Sequence, residues 1–209
     1  MCPPMLILTR GVSEERCLCF HSPYGCSKGT ADQYVLDYAR SFGVRSTVFR
    51  MSCIYGPHQF GTEDQGWVAH FLIRALDRAP LTLFGDGRQV RDILFVADLV
   101  EAFMCAWHNM DAVAGRGFNI GGGSHNATSL LELLQVIAEI TGEKPEVEYE
   151  SWRVGDQRYY VSDTTRFTQA TGWRPAVGVR DGIVALRNWL AASRGRMRVA
   201  APVLQGGAV

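Results

Sequence analysis

The stretch from Ser22 to Pro57, "SPYGCSKGTADQYVLDYARSFGVRSTVFRMSCIYGP", constrains the fold more than any other part of the chain. From about Lys28 to Phe42 its apolar residues (Ala31, Tyr34, Val35, Tyr38, Ala39, Phe42) recur at intervals of three and four, which predicts an amphipathic helix. Gly43 stands where a helix of that length would be capped. "RSTVFRMSCIYGP" follows, rich in β-branched residues and closed by Gly56-Pro57, and reads as a buried strand. Helix, glycine and apolar strand in that order are half of a βαβ unit, so the chain belongs to the α/β class.

The remainder continues the alternation. Trp67–Arg78 reads as a helix that stops before Pro80, and "LTLFGDGRQVRDILFV" as two short strands around a Gly-Asp-Gly turn. Ala97–Asn109 has helical spacing, and "GFNIGGG" is a short strand entering a glycine loop. Ser129–Thr141 reads as a helix with Ser129 and Glu132 as a capping box. "PEVEYESW" is a strand candidate, and Asp163–Thr171 and Val179–Ser193 are expected helices. Residues 1–21 read as irregular, and the tail from Gly195 has no core pattern and is expected to fray.

Composition narrows the function classes. Basic and acidic residues balance at 21 each, so no global field draws the chain to nucleic acid or to an anionic membrane. No apolar run approaches the ~20 residues of a membrane span, and the first 20 residues make a poor signal peptide, which points to a cytoplasmic protein. The six cysteines form no CxxC pair and have no histidine at zinc spacing, so reduced thiols and no metal are expected. His58, His70 and His125 read as rim or surface residues.

Tyr24 and Lys28 stand four residues apart, on one face of the first helix. A phenol titrates near ~10, too high for a base at neutral pH, and a neighbouring ammonium favours the phenolate. The same ammonium has three donors for a ribose. Two of the 21 basic residues are lysines, Lys28 and Lys144, so lysine at this place is a departure from the chain's habit. Spacing alone does not separate a catalytic pair from two residues that share a helix face.

The wider pattern resembles the extended short-chain dehydrogenase/reductases, the NAD-dependent epimerase/dehydratase family that acts on nucleotide sugars. "PYGCSKGTADQYVLDYARSFGV", "RMSCIYGP", "FGDGRQVRDILFVADLVEAF", "FNIGGG" and "RVGDQRYYVSDTTR" followed by "TGWRP" resemble the family's motifs, in family order, from about Gly11 to Ala192. The resemblance implies the C-terminal portion of a Rossmann-like doubly wound parallel sheet plus a small α/β substrate-binding lobe. It divides the chain into an irregular segment (1–21), a remnant of the NAD-binding domain (22–57), a substrate-binding lobe (58–193, with 93–122 a stretch that could return to the Rossmann sheet) and a flexible tail (194–209). Tyr24 and Lys28 would be the catalytic pair and would also touch NAD. Cys53, Arg91, Asn126, Arg153 and Asp156 would bind the substrate: Arg91 on the diphosphate, Arg153 and Asp156 at the nucleotide end, Asn126 in the same slot. Cys53 stands where many relatives carry an asparagine, and a thiol is a weaker donor. A nucleotide sugar, with a CDP-sugar favoured, is the implied substrate. A homodimer is the implied assembly, since relatives are usually dimers. Epimerisation by transient oxidation, 4,6-dehydration, decarboxylation and a non-catalytic nucleotide-sugar-binding lobe all stay open.

Only 23 residues precede Tyr24, fewer than the ~30 of one βαβ unit, and no GxGxxG opens a helix in the sequence. The serine or threonine that the family places upstream has no assignable counterpart, Ser13 and Ser22 matching by type alone. These features lead to the expectation of a truncated chain that is poorly stable or self-associating, because a parallel strand without its neighbours leaves apolar faces open.

Overall fold

The computed structural model describes residues 11–200. The first half of the expected irregular segment and residues 201–209 of the expected tail lie outside the described residues. The first helix, α1 (Pro23–Phe42), begins five residues before the apolar pattern does. Ser22 causes this early start: its Oγ accepts the Gly25 N–H at 3.1 Å, and Pro23 has the fixed φ suited to a first helical position. Gly43 closes the helix with its N–H on the Ala39 carbonyl at 3.1 Å.

The following strand does not run unbroken. It divides at Ser52 into β1 (Val48–Met51) and β2 (Cys53–Tyr55), which pair with different partners. β1 lies parallel to β5 (Gly117–Ile120), and β2 lies parallel to β4 (Val90–Phe95). The expected burial of this strand is only partial: β1 is half-buried and Met51 is exposed. Ser52 forms the joint, with its N–H on the Ile120 carbonyl and its hydroxyl on the backbone oxygen and Oδ1 of Asp92.

The Gly-Asp-Gly turn does not make a hairpin. β3 (Leu81–Phe84) pairs in parallel with β7 (Val147–Glu150), while β4 is central to another sheet, flanked by β2, by antiparallel β6 (Ala127–Ser129) and by parallel β8 (Tyr159–Tyr160). Both strands around the turn therefore spend their ladder hydrogen bonds on partners distant in sequence. Helices α2 (Trp67–Leu76), α3 (Val96–His108), α5 (Leu130–Thr141) and α6 (Thr165–Thr171) fall where their spacing places them, and a short α4 (Met110–Val113) follows α3. The capping box at Ser129 and Glu132 is complete. The last helix, α7 (Val179–Ala200), continues past residue 193, into the stretch expected to fray.

Two apolar clusters result. One joins α2, α5 and α7 to β2, β3 and β4 around Leu72, Leu81, Ile93, Ile137 and Ile183. The other packs α3, β5 and α6 around Leu94, Phe118, Phe167 and Trp173. Among the described residues, no helix is long and apolar enough to cross a membrane, and no group of histidine, cysteine and carboxylate side chains could hold a metal ion.

Candidate active site

The capped start of α1 puts Tyr24 in its first turn and Lys28 one turn later, with the Lys28 ammonium 5.4 Å from the centre of the Tyr24 ring. Both side chains are exposed, Tyr24 at 72%. A further turn along the same face stands Asp32, which is buried. Its carboxylate takes two hydrogen bonds from Arg50 on β1, at 2.7 and 3.1 Å, a fork-on-carboxylate pair that ties the helix to the sheet. The hydrogen bonds to the neighbouring carboxylate raise the Arg50 pKa above its ordinary value, so the guanidinium stays charged. The Ser22 hydroxyl is occupied as the helix cap.

A cavity of about 340 Å³ opens between the N-terminus of α2, the ends of β3 and β4, and the turn at 153–156. Arg91 enters it from β4. Its Nη2 bonds Asp156 Oδ1 at 2.7 Å, while its Nη1 bonds the Val90 carbonyl at 2.8 Å. Arg153 lies over the face of Phe84, 3.9 Å from the ring centre, a cation–π contact at close range. Its guanidinium also meets Glu63 at 3.3 Å and Asp64 at 3.4 Å. Trp67 and Phe71 add aromatic wall.

The structure therefore brings Arg91, Arg153 and Asp156 to one cavity. The 153–156 turn is closed by the Asp156 N–H on the Arg153 carbonyl at 3.2 Å, but the two side chains pair elsewhere: Asp156 reaches Arg91, and Arg153 reaches the acidic loop. Cys53 stands behind the wall, its sulfur accepting the Trp67 indole N–H at 3.3 Å. Burial pushes the thiol pKa up, partly opposed by that indole bond, so the group is a neutral thiol. Asn126 does not line the cavity. It is buried, and its amide donates to the Val177 carbonyl at 3.0 Å. Sequence reasoning missed Glu63, Asp64 and Gln89. Gln89 lines the cavity with its amide N–H on the Phe84 carbonyl and its oxygen buried without a partner among the described residues. The polar loop "GTEDQG" gave no role for Glu63 or Asp64, because their contact is with Arg153, 90 positions from Glu63.

Residues 11–121 match the profile of the NAD dependent epimerase/dehydratase family, more than half of the chain. The chain belongs to this family. CDP-paratose 2-epimerase of Salmonella typhi is 42% identical over 184 residues, which are 86% of this chain and 54% of that relative. Two solved members of the epimerase/dehydratase family share the fold. UDP-glucose 4-epimerase from Thermotoga maritima, solved with UDP-glucose, superposes with a TM-score of 0.76 at 32% identity, over 86% of this chain and 60% of that one. dTDP-glucose 4,6-dehydratase from Bacillus anthracis, solved with NAD, gives a TM-score of 0.79 at 29% identity, over 91% and 58%. The chain thus spans about half the length of the curated relatives it matches.

Proposed function

We propose that this chain carries the nucleotide-sugar site and the acid–base pair of an NAD-dependent nucleotide-sugar epimerase of the CDP-paratose 2-epimerase kind, at work in the cytoplasm. The observation that carries the reading is the convergence of Arg91 and Arg153 on one aromatic-walled cavity. Two guanidiniums suit the two phosphates of a nucleoside diphosphate, since a planar fork matches phosphate oxygens in pairs. Trp67 and Phe71 give the flat apolar surface that a base or sugar needs. The preference for a CDP-sugar rests on the 42% identity with the Salmonella enzyme.

The exposed faces of Tyr24 and Lys28 fit a nicotinamide ribose. Among the described residues no carboxylate ion-pairs with Lys28, so its N–H donors are free for ribose hydroxyls. Bound NAD+ supplies the capacity to accept a hydride from the sugar carbon and return it to the opposite face. Tyr24 Oη takes the proton of that carbon's hydroxyl as the carbonyl forms, and gives it back as the carbonyl is reduced. Arg91 and Arg153 hold the diphosphate while the sugar turns.

Calorimetric titration of the 209-residue chain with NAD+ and, separately, with a CDP-sugar tests the reading. CDP-sugar binding is the expected result, and NAD+ binding beside it would make the chain sufficient for the cofactor although no GxGxxG opens a helix in its sequence. CDP-sugar binding without NAD+ binding reduces the chain to a nucleotide-sugar-binding lobe, and absence of both overturns the reading.

A further inference from the structure

The charges at the cavity do not favour an anion as they stand. Three carboxylates (Glu63, Asp64 and Asp156) line it with two guanidiniums, and each guanidinium is already paired. The two pairings differ in kind. Arg91 is only 13% exposed and its bond to Asp156 is short, which marks a fixed element of the wall. Arg153 is 38% exposed, its contacts to Glu63 and Asp64 are 3.3 and 3.4 Å long, and Asp64 is 92% exposed. Such long, solvated ion pairs are weak and open readily.

We propose that Glu63 and Asp64 form a latch that holds Arg153 in place of a phosphate group and sets the affinity of the cavity for nucleoside diphosphates. The proposal rests on the nucleotide-sugar reading above. The loop is built to present the two carboxylates at a defined spot. Thr62 N–H bonds the Gln65 carbonyl at 2.8 Å and Gln65 N–H bonds Thr62 Oγ1 at 3.3 Å, closing a tight turn with Glu63 and Asp64 at its tip. The turn is anchored at both ends by glycine. Gly66 has φ of 77°, and a Cβ on Gly61 would collide with the Gly66 carbonyl and the His70 N–H. Arg153, resting on Phe84, stays at the cavity when its carboxylates leave, because the cation–π contact does not depend on them. A diphosphate displaces two weak carboxylate contacts and the 3.4 Å bond from Arg153 Nη1 to the Glu63 carbonyl, and gains a guanidinium already placed. A nucleoside without phosphates gains nothing from Arg153, so the latch leaves its binding as it is.

The test is calorimetry with CDP and with cytidine on the full chain, on Glu63→Gln/Asp64→Asn, on Arg153→Gln and on the triple combination. Opening the latch should tighten CDP about 3- to 10-fold, the range expected from removing two exposed competing pairs, and leave cytidine unchanged. Arg153→Gln should weaken CDP and abolish the gain. Unchanged CDP binding in Glu63→Gln/Asp64→Asn, with the wild type binding well, overturns the latch and leaves the nucleotide-sugar reading standing. A gain that persists in the triple variant also overturns it, since the carboxylates would then act by general repulsion rather than through Arg153. If CDP binds none of the four proteins, the latch and the nucleotide-sugar reading fall together.

Discussion

Helices α1 and α2 are built from similar amounts of apolar sequence but use it in opposite ways. α2 has ten residues and buries five of them, Val68, Ala69, Phe71, Leu72 and Ala75, inside a cluster closed by α5 and α7. α1 has twenty residues and buries only Gly29 and Asp32, while Tyr34, Tyr38 and Phe42 remain exposed. The region around α2 stabilises itself by removing apolar surface from water. The region around α1 is held by one ion pair and a half-buried strand. An amphipathic pattern in sequence therefore records that a face expects a partner; it does not say whether the described residues supply one.

The comparison can be broken most forcefully from the α2 side. Leu72→Ala should cost about 3 kcal/mol in urea unfolding, the usual range for a fully buried leucine that leaves a cavity. Tyr38→Ser with Phe42→Ser should change stability by less than about 0.5 kcal/mol while reducing self-association in sedimentation velocity. Equal losses from the two changes would refute the contrast. A smaller effect sharpens the α1 side. Asp32→Asn removes the carboxylate from an Arg50 that is 21% exposed, and should cost about 2 kcal/mol by leaving that charge without its partner. Unchanged stability would show that α1 is held by something other than this pair.

The smallest effect concerns pH. Burial, with the Arg74 charge, holds the His70 imidazole below its ordinary value, opposed by Glu63 and the Gly61 carbonyl. As pH falls through about 6.5 the unfolded chain takes up this proton first, so stability declines from there down to the lower folded-state value. The urea midpoint measured from pH 7.5 to 5 should fall less steeply in His70→Gln. An identical slope in the variant would remove His70 from the account.

Much of this arrangement was legible before any coordinates. The capping box at Ser129, the stop at Gly43 and the spacing of α2 and α3 are local signals, written within a few residues of the elements they define. The failures were non-local. The Gly-Asp-Gly turn separates β3 from β4 without saying what either pairs with, and the partner of β3 begins 66 residues further on, Leu81 facing Val147. The break at Ser52 was invisible because a change of partner leaves no mark on strand propensity. Motif resemblance pointed to Arg91, Arg153 and Asp156, which do line one cavity, whereas Glu63 and Asp64 acquire meaning only beside Arg153. Asn126 lies outside the cavity, and its amide donates to the Val177 carbonyl, a partner 51 positions away that its motif does not announce.

The joint at Ser52 also bears on where this chain can tolerate insertions and deletions. Arg50, fastened to the helix that carries Tyr24 and Lys28, and Cys53, bonded to the Trp67 wall of the cavity, lie three residues apart on one extended run. That run measures about 10 Å, and it acts as a spacer between the helix of Tyr24 and Lys28 and the arginine-lined cavity. Adding or removing one residue would reverse the direction of every side chain beyond it and part Arg50 from Asp32 or Cys53 from Trp67. Homologous chains are therefore expected to differ in length at the 58–66 loop and the 151–158 turn, and to keep the interval from Arg50 to Cys53 at a single value.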